Sequence, residues 1–262
     1  MPTVTVDGTT LRYELSGREG GPVVAFVPDV GFGPWVWGWQ APSLSGIYRT
    51  LVYAPRGTDG SGSDGPYTVD RFAADLEAIL SAADVRRVHL VGAGLGAAVS
   101  LRYVNRYGRA RSLSLFGTAS SGERIDEKTL SRLCPSDRTR LRSSLSVAFS
   151  DRFLAESGLV ERIVEWRSTE DAEGDALSGH RAAALGFDAG PLYEVSVPAL
   201  VCHGTDDPVV PIKAGEELAR ELPDGRFEAV SGKRCFYVEH AAAVTDRIDG
   251  FLDSVASDGR SV

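Results

Sequence analysis

The chain has 262 residues, 43% of them apolar, and a net charge of −8. That length suits one large α/β domain with an inserted subdomain. The acidic balance lacks the basic footprint of nucleic-acid binding, and no apolar run reaches the ~20 residues of a membrane-spanning helix. Three cysteines, Cys134, Cys202 and Cys235, are scattered and odd in number. They form neither a metal spacing nor a disulfide framework. The start, Met1-Pro-Thr-Val-Thr-Val, lacks a basic-then-apolar signal segment, and the two together predict a reducing cytoplasm.

Val4–Val6 and Leu11–Leu15 alternate around Asp7-Gly8, a hairpin signal. Val23–Val27 is a continuous apolar run, as a buried strand should be, and Thr50–Tyr53 is a shorter one. Asp70 is expected to cap a helix whose apolar stripe is Phe72, Ala73, Leu76, Ile79, Leu80 and Ala83. Val88–Val91 is a strand, followed by a glycine-punctuated turn and a helix over 96–107. Ser112–Phe116, Ala199–Cys202 and Arg226–Val230 are further strands. A helix around Ala214–Leu222 separates the last two, and a final helix runs from about Ala241 to Val255. The polar tail Ser257–Val262 is expected to fray. Strands alternating with helices after an antiparallel start imply a mostly parallel eight-stranded sheet flanked by helices. Residues 118–195 break the alternation with helical patches at Leu130–Leu133, Arg138–Phe149 and Leu159–Trp166. They are read as a helical cap subdomain inserted into a core formed by 1–117 and 196–262.

The turn Gly92-Ala93-Gly94-Leu95-Gly96 has the layout of a nucleophile elbow, Gly-x-Ser-x-Gly, with glycine at its centre. Pro198-Ala-Leu-Val-Cys-His-Gly-Thr-Asp-Asp-Pro-Val-Val-Pro211 looks like a strand and loop bearing a triad acid. Ser231-Gly-Lys-Arg-Cys-Phe-Tyr-Val-Glu-His240 looks like a histidine loop, and residues 22–42 look like a strand with its oxyanion loop. Over nearly its full length the chain therefore resembles the α/β-hydrolase fold family. The resemblance implies that fold with a cap. It also implies a site built from a nucleophile, a histidine base, an acid and two backbone donors.

Carried over residue by residue, the acid falls on Asp207, with Asp206 beside it. The nucleophile position is Gly94, the histidine position is Arg234, and the His-Gly that begins the oxyanion loop aligns with Pro28-Asp29. Glycine offers no hydroxyl to acylate. Arginine stays protonated and cannot accept a proton. A carboxylate at Asp29 brings negative charge to where an oxyanion should develop. The chain is thus expected to be a divergent member that is not a serine hydrolase. His240, His203 and His89 read as structural residues. Cys235 and Ser61 remain as displaced nucleophiles, Cys235 because the neighbouring Arg234 would favour its thiolate.

The expected catalytic set is Asp29, Asp207 and Arg234, converging at the carboxyl end of the sheet. Arg234 would pin an anionic substrate group, and a carboxyl group with a raised pKa would act as acid or base. A purely structural charge network is the competing reading. Gly94, Leu95 and Val30 would contact substrate, with the Leu95 N–H free as a donor. Phe32, Trp35, Tyr237 and Trp166 would form aromatic walls, because three tryptophans within five residues exceed ordinary core need. The expected function is a cofactor-independent, non-hydrolytic transformation of an aromatic or polyketide-like small molecule in bacterial natural-product biosynthesis. The alternative is a non-catalytic pseudo-hydrolase that binds a small molecule or a partner. No metal or cofactor is expected, and a homodimer is compatible with either. A dinucleotide site at Gly92-x-Gly94-x-x-Ala97 is a weak match, since the next strand lacks the acid that would end it.

Overall fold

The computed structural model describes residues 1–258; the last four residues of the expected frayed tail lie outside the described part. The chain runs β1 (Thr3–Val6), β2 (Thr9–Gly17), β3 (Val23–Val27), α1 (Gln40–Leu44), β4 (Arg49–Tyr53), α2 (Val69–Ala82), β5 (Val88–Ala93), α3 (Leu95–Arg106) and β6 (Ala110–Phe116). It continues through α4 (Glu127–Leu133), α5 (Leu141–Ala148), α6 (Asp151–Glu156), α7 (Val160–Glu170) and α8 (Gly174–Leu185). It ends with β7 (Ala199–Gly204), α9 (Ile212–Glu221), β8 (Gly225–Val230), α10 (Phe236–Glu239) and α11 (Ala241–Asp258). The eight strands form one sheet in the order β1-β2-β4-β3-β5-β6-β7-β8. β2 pairs antiparallel with both neighbours, and every pairing from β4 to β8 is parallel.

The local reasons are visible in the sequence. The β1–β2 hairpin turns at Asp7 and Gly8, both at positive φ (48° and 87°), as a two-residue primed turn requires. β3 and β5 are buried almost throughout, so their apolar runs are continuous rather than alternating. In α2 the buried face is Val69, Phe72, Ala73, Leu76, Ile79 and Leu80: the expected stripe gains Val69 and loses Ala83, which is the half-buried cap after the last turn. The cap differs from the expectation. Thr68 has the extended backbone of an N-cap and its hydroxyl accepts from Arg71 N, whereas Asp70 lies inside the first turn and pairs with Arg106. The stripe also carries Asp75, whose two oxygens accept from Arg56 Nε and Nη2, each at 2.7 Å, with both side chains buried. The last helix is longer than expected and reaches Asp258.

Residues 118–195 hold α4 to α8, together with an isolated bridge between Ser121 and Asp188. Buried contacts fix this segment to the loop after β3. Arg167, 1% exposed, bonds Asp171 Oδ2 (2.8 Å), Ser144 Oγ (2.7 Å) and the Leu133 carbonyl (3.0 Å), and its guanidinium lies 4.8 Å from the Phe32 ring centre. Asp171 Oδ1 accepts from Gly33 N and Trp35 Nε1 (3.1 and 2.7 Å). His180 Nδ1 accepts from Gly31 N (3.1 Å), which leaves Nε2 to donate to the Arg56 carbonyl (2.9 Å). No helix among the described residues is long and apolar enough to cross a membrane.

Candidate functional site

The turn between β5 and α3 is as sharp as its glycines suggest. Gly94 sits at its apex with φ 47° and ψ −110°, its N–H bonded to the Phe116 carbonyl at 2.9 Å. Its neighbours are glycine for want of space: a Cβ at Gly96 would lie 2.1 Å from the Val27 carbonyl oxygen, and one at Gly92 would lie 2.4 Å from that of Gly96. The strand ends around the turn bring three further segments to it. These are the loop after β3 with Asp29, the loop after β7 with Asp207, and the segment after β8 with Arg234.

The three charged residues meet, as expected. Arg234 Nε donates to Asp29 Oδ2 at 2.8 Å, and its Nη1 donates to Asp207 Oδ2 at 3.1 Å and to the Gly117 carbonyl. Asp29 and Arg234 are 1% and 3% exposed, and the Asp207 carboxylate is fully covered. Burial works against the Arg234 charge, but attraction from Asp29 and then Asp207 outweighs it, so its pKa moves above the usual guanidinium range. Asp207 Oδ1 is held by the amides of Val209 and Val210. Asp206, the alternative acid, is exposed and does not reach the pair.

The decisive atom is Asp29 Oδ1. It accepts from its own neighbour, Val30 N, at 2.6 Å, and from Leu95 N at 3.0 Å. Leu95 follows the elbow centre and Val30 belongs to the loop after β3. These are the two backbone donors that make the oxyanion hole in this fold. The expectation of a free Leu95 N–H is therefore corrected: a carboxylate oxygen of the chain itself occupies both donors. The space expected to open beside Gly94 is also taken. A Cβ there would lie 1.8 Å from Asp29 Oδ1 and 2.1 Å from Arg234 Nη2.

The cavity that remains at the turn measures ≈ 20 Å³ and touches Val30, Gly94, Leu95, Thr118 and Arg234. It holds about one water. Of the expected aromatic walls, Phe32, Trp35, Tyr237 and Trp166 all lie outside its lining. Trp37 stacks on Tyr237 (centroids 4.9 Å apart) and tilts against Phe26 and Phe116, which makes it core. Trp35 stacks on Trp166 at 6.4 Å, with Trp39 edge-on to Trp166 at 5.8 Å, at the junction with α7. Phe32 is sandwiched between Trp35 and Arg167. The dense tryptophans build two packing clusters, and Trp35 and Trp37 also border a separate cleft of ≈ 450 Å³ with Pro34, Ala41, Val52 and Glu170.

The displaced nucleophiles are inert. Cys235 is fully buried, and desolvation raises its pKa far above the ordinary thiol range despite the adjacent Arg234. The Ser61 hydroxyl donates to the Ala54 carbonyl and accepts from Arg12 N, holding a turn. His203 is buried and donates Nε2 to the Val210 carbonyl; desolvation lowers its pKa and keeps it neutral. His89 contacts Ser112, and burial lowers its pKa to about 4. His240 is partly exposed beside Glu239. Glu239 itself accepts from the Ser150 amide and hydroxyl, tying α10 to the start of α6. The sequence reading missed the Arg167–Asp171 pair, in which Arg167 in the last turn of α7 reaches Asp171, the extended residue just after it.

Comparison with known proteins agrees with the fold. The pattern of the alpha/beta hydrolase family matches residues 24–247. The 3-oxoadipate enol-lactonase 1 of Acinetobacter baylyi is 25% identical over 261 residues, covering 95% of each chain. The crystal structure of a hydrolase from Pseudomonas aeruginosa PA01 superposes with a TM-score of 0.85 at 27% identity, covering 96% of this chain and 97% of the other. That of the enol-lactonase from Burkholderia xenovorans LB400 gives 0.84 at 25%, covering 96% and 100%. These relatives are named as enzymes with hydrolytic activities. That overturns the expectation of a non-hydrolytic, natural-product transformation of an aromatic molecule. The architecture, the elbow and the matched pattern lead to one conclusion: the chain belongs to the alpha/beta hydrolase family.

Proposed function

We propose that this chain is a divergent α/β-hydrolase lacking both the serine nucleophile and the histidine base, and that it is not a serine hydrolase. Its elbow is an ion-pair lock, Asp29–Arg234–Asp207, which ties three loops together where the family's acyl-transfer centre would stand. The observation that carries this reading is Asp29 Oδ1 seated on Val30 N and Leu95 N. One oxyanion donor is worth about 10²- to 10³-fold in turnover, and here neither donor is free. Arg234 is charged at any working pH and accepts no proton. Asp29 is immobilised by three N–H donors, so it is a poor candidate for proton transfer as well.

The relatives favour a second reading, because lactone hydrolysis in the enol-lactonases runs on the same scaffold. One experiment separates the two. The purified protein is offered activated esters, enol-lactones and carbamates, and turnover is measured against a buffer blank. The ion-pair reading predicts turnover at the blank level for all three. Robust turnover that is abolished by substituting one serine would replace it with the second.

A further inference from the structure

The geometry points to a phosphate-binding site in the 118–195 segment: the cleft between α4 and α5 takes the phosphoryl group of a small phosphate ester. The cleft measures ≈ 440 Å³, within the range of about 300–1,000 Å³ for ligand sites. Arg132, from the last turn of α4, and Arg140, at the start of α5, both line it, and no carboxylate does. Arg132 has no hydrogen-bond or ion-pair partner among the described residues. Arg140 has one weak contact, 3.5 Å to the exposed Asp137.

The local charge is as unusual as the lining. Residues 128–142 carry Lys128, Arg132, Arg138, Arg140 and Arg142 against Asp137 alone, in a chain whose net charge is −8. Part of that charge is used for structure: Arg138 holds the Arg167 carbonyl, and Arg142 pairs with Glu161. Arg132 and Arg140 are left over, and they face one space.

The cleft also has a built polar wall. Ser144 is 3% exposed; its Oγ accepts from Arg167 Nη1 and donates to the Leu141 carbonyl, both at 2.7 Å. A third guanidinium therefore stands behind the wall. The Ser131 hydroxyl, also in the lining, has no partner among the described residues and can donate. Two guanidiniums with spare planar N–H groups plus a hydroxyl donor match the oxygens of a phosphate monoester, which arginine binds through paired hydrogen bonds. A carboxylate ligand would satisfy fewer of these donors.

The test is calorimetric titration of the full chain with inorganic phosphate and with phenyl phosphate at low ionic strength, with chloride as control. Saturable binding of both phosphates is expected, with affinity falling as salt rises. Arg132→Ala/Arg140→Ala should weaken binding by about tenfold or more while leaving thermal unfolding unchanged, since both side chains are exposed. Asp137→Asn should tighten it. Absence of saturable phosphate binding, or equal affinity in the double variant, would overturn the proposal. So would binding to phosphatidic-acid vesicles without binding to phenyl phosphate, which assigns the cleft to a lipid surface.

Discussion

Replacing Gly94 by serine restores the residue that the elbow of this family is built to present, yet it should damage the protein. The new Cβ would lie 1.8 Å from Asp29 Oδ1 and 2.1 Å from Arg234 Nη2. Neither side chain can step aside. The Asp29 carboxylate is fixed by Val30 N, Leu95 N and Arg234 Nε, and Arg234 is fixed by Asp207 and the Gly117 carbonyl. Admitting the serine therefore breaks a buried ion pair, a loss of about 3–5 kcal/mol. Overpacking of 1–3 kcal/mol is expected at such sites, but the two effects describe the same displacement and are not summed. For a domain of this size the change corresponds to a fall of roughly 6–20 °C in the unfolding midpoint. The triple change Asp29→Gly/Gly94→Ser/Arg234→His removes the obstructing carboxylate and shortens the cation. It should be more stable than Gly94→Ser alone by ~2 kcal/mol, because removing both partners of a buried pair is much milder than breaking it. Urea unfolding of the wild type, the single variant and the triple variant measures both numbers. A Gly94→Ser protein within about 0.5 kcal/mol of wild type would mean that the space beside the turn is open, and the ion-pair lock would be refuted.

Two further predictions concern pH. Glu170 is half-buried beside Trp35, and desolvation raises its pKa from 4.5 to about 7. A carboxyl group with a raised folded pKa adds stability below its unfolded value and loses it as pH rises through the folded value. Glu170→Gln, which can still accept from Trp35 N, should therefore stabilise the protein at pH 8 relative to wild type and leave it unchanged at pH 4; urea midpoints at the two values decide this. His180 is buried neutral, its pKa lowered by desolvation to about 4. The unfolded chain then binds the extra proton between about pH 6.5 and 4, so stability falls as pH drops through that window, by at most about 1.4 kcal/mol per pH unit for this group. His180→Gln should flatten that slope, and an unaltered slope would show that His180 is not buried in the neutral form.

Much of the scaffold was legible because backbone needs leave marks in sequence. Asp7-Gly8 announced a primed hairpin turn, and Gly92, Gly94 and Gly96 announced an elbow where a Cβ does not fit. The convergence of Asp29, Asp207 and Arg234 was legible from the family resemblance, which puts all three on loops at the carboxyl end of a parallel sheet. What they do there was not. Whether Asp29 faces a ligand or turns onto Val30 N and Leu95 N depends on one side-chain rotamer, which no spacing encodes. The tryptophans are ambiguous for a similar reason. Trp37 and Trp35 stand two residues apart in a short helical turn, and one goes into the core against Tyr237 while the other goes to Trp166. An aromatic-rich segment reads the same whether its rings line a pocket or fill one. The α2 cap was misplaced because Thr68 and Asp70 both favour helix starts, and only the extended backbone at Thr68 separates them.

The most direct measurement of the central claim is the intact mass of the protein after exposure to excess fluorophosphonate, which forms a covalent adduct with an activated serine. An elbow with Gly94 at its apex and Asp29 in the oxyanion donors should leave the mass unchanged. A stoichiometric adduct mapped to a serine would contradict the account and place an acylating centre in the protein after all.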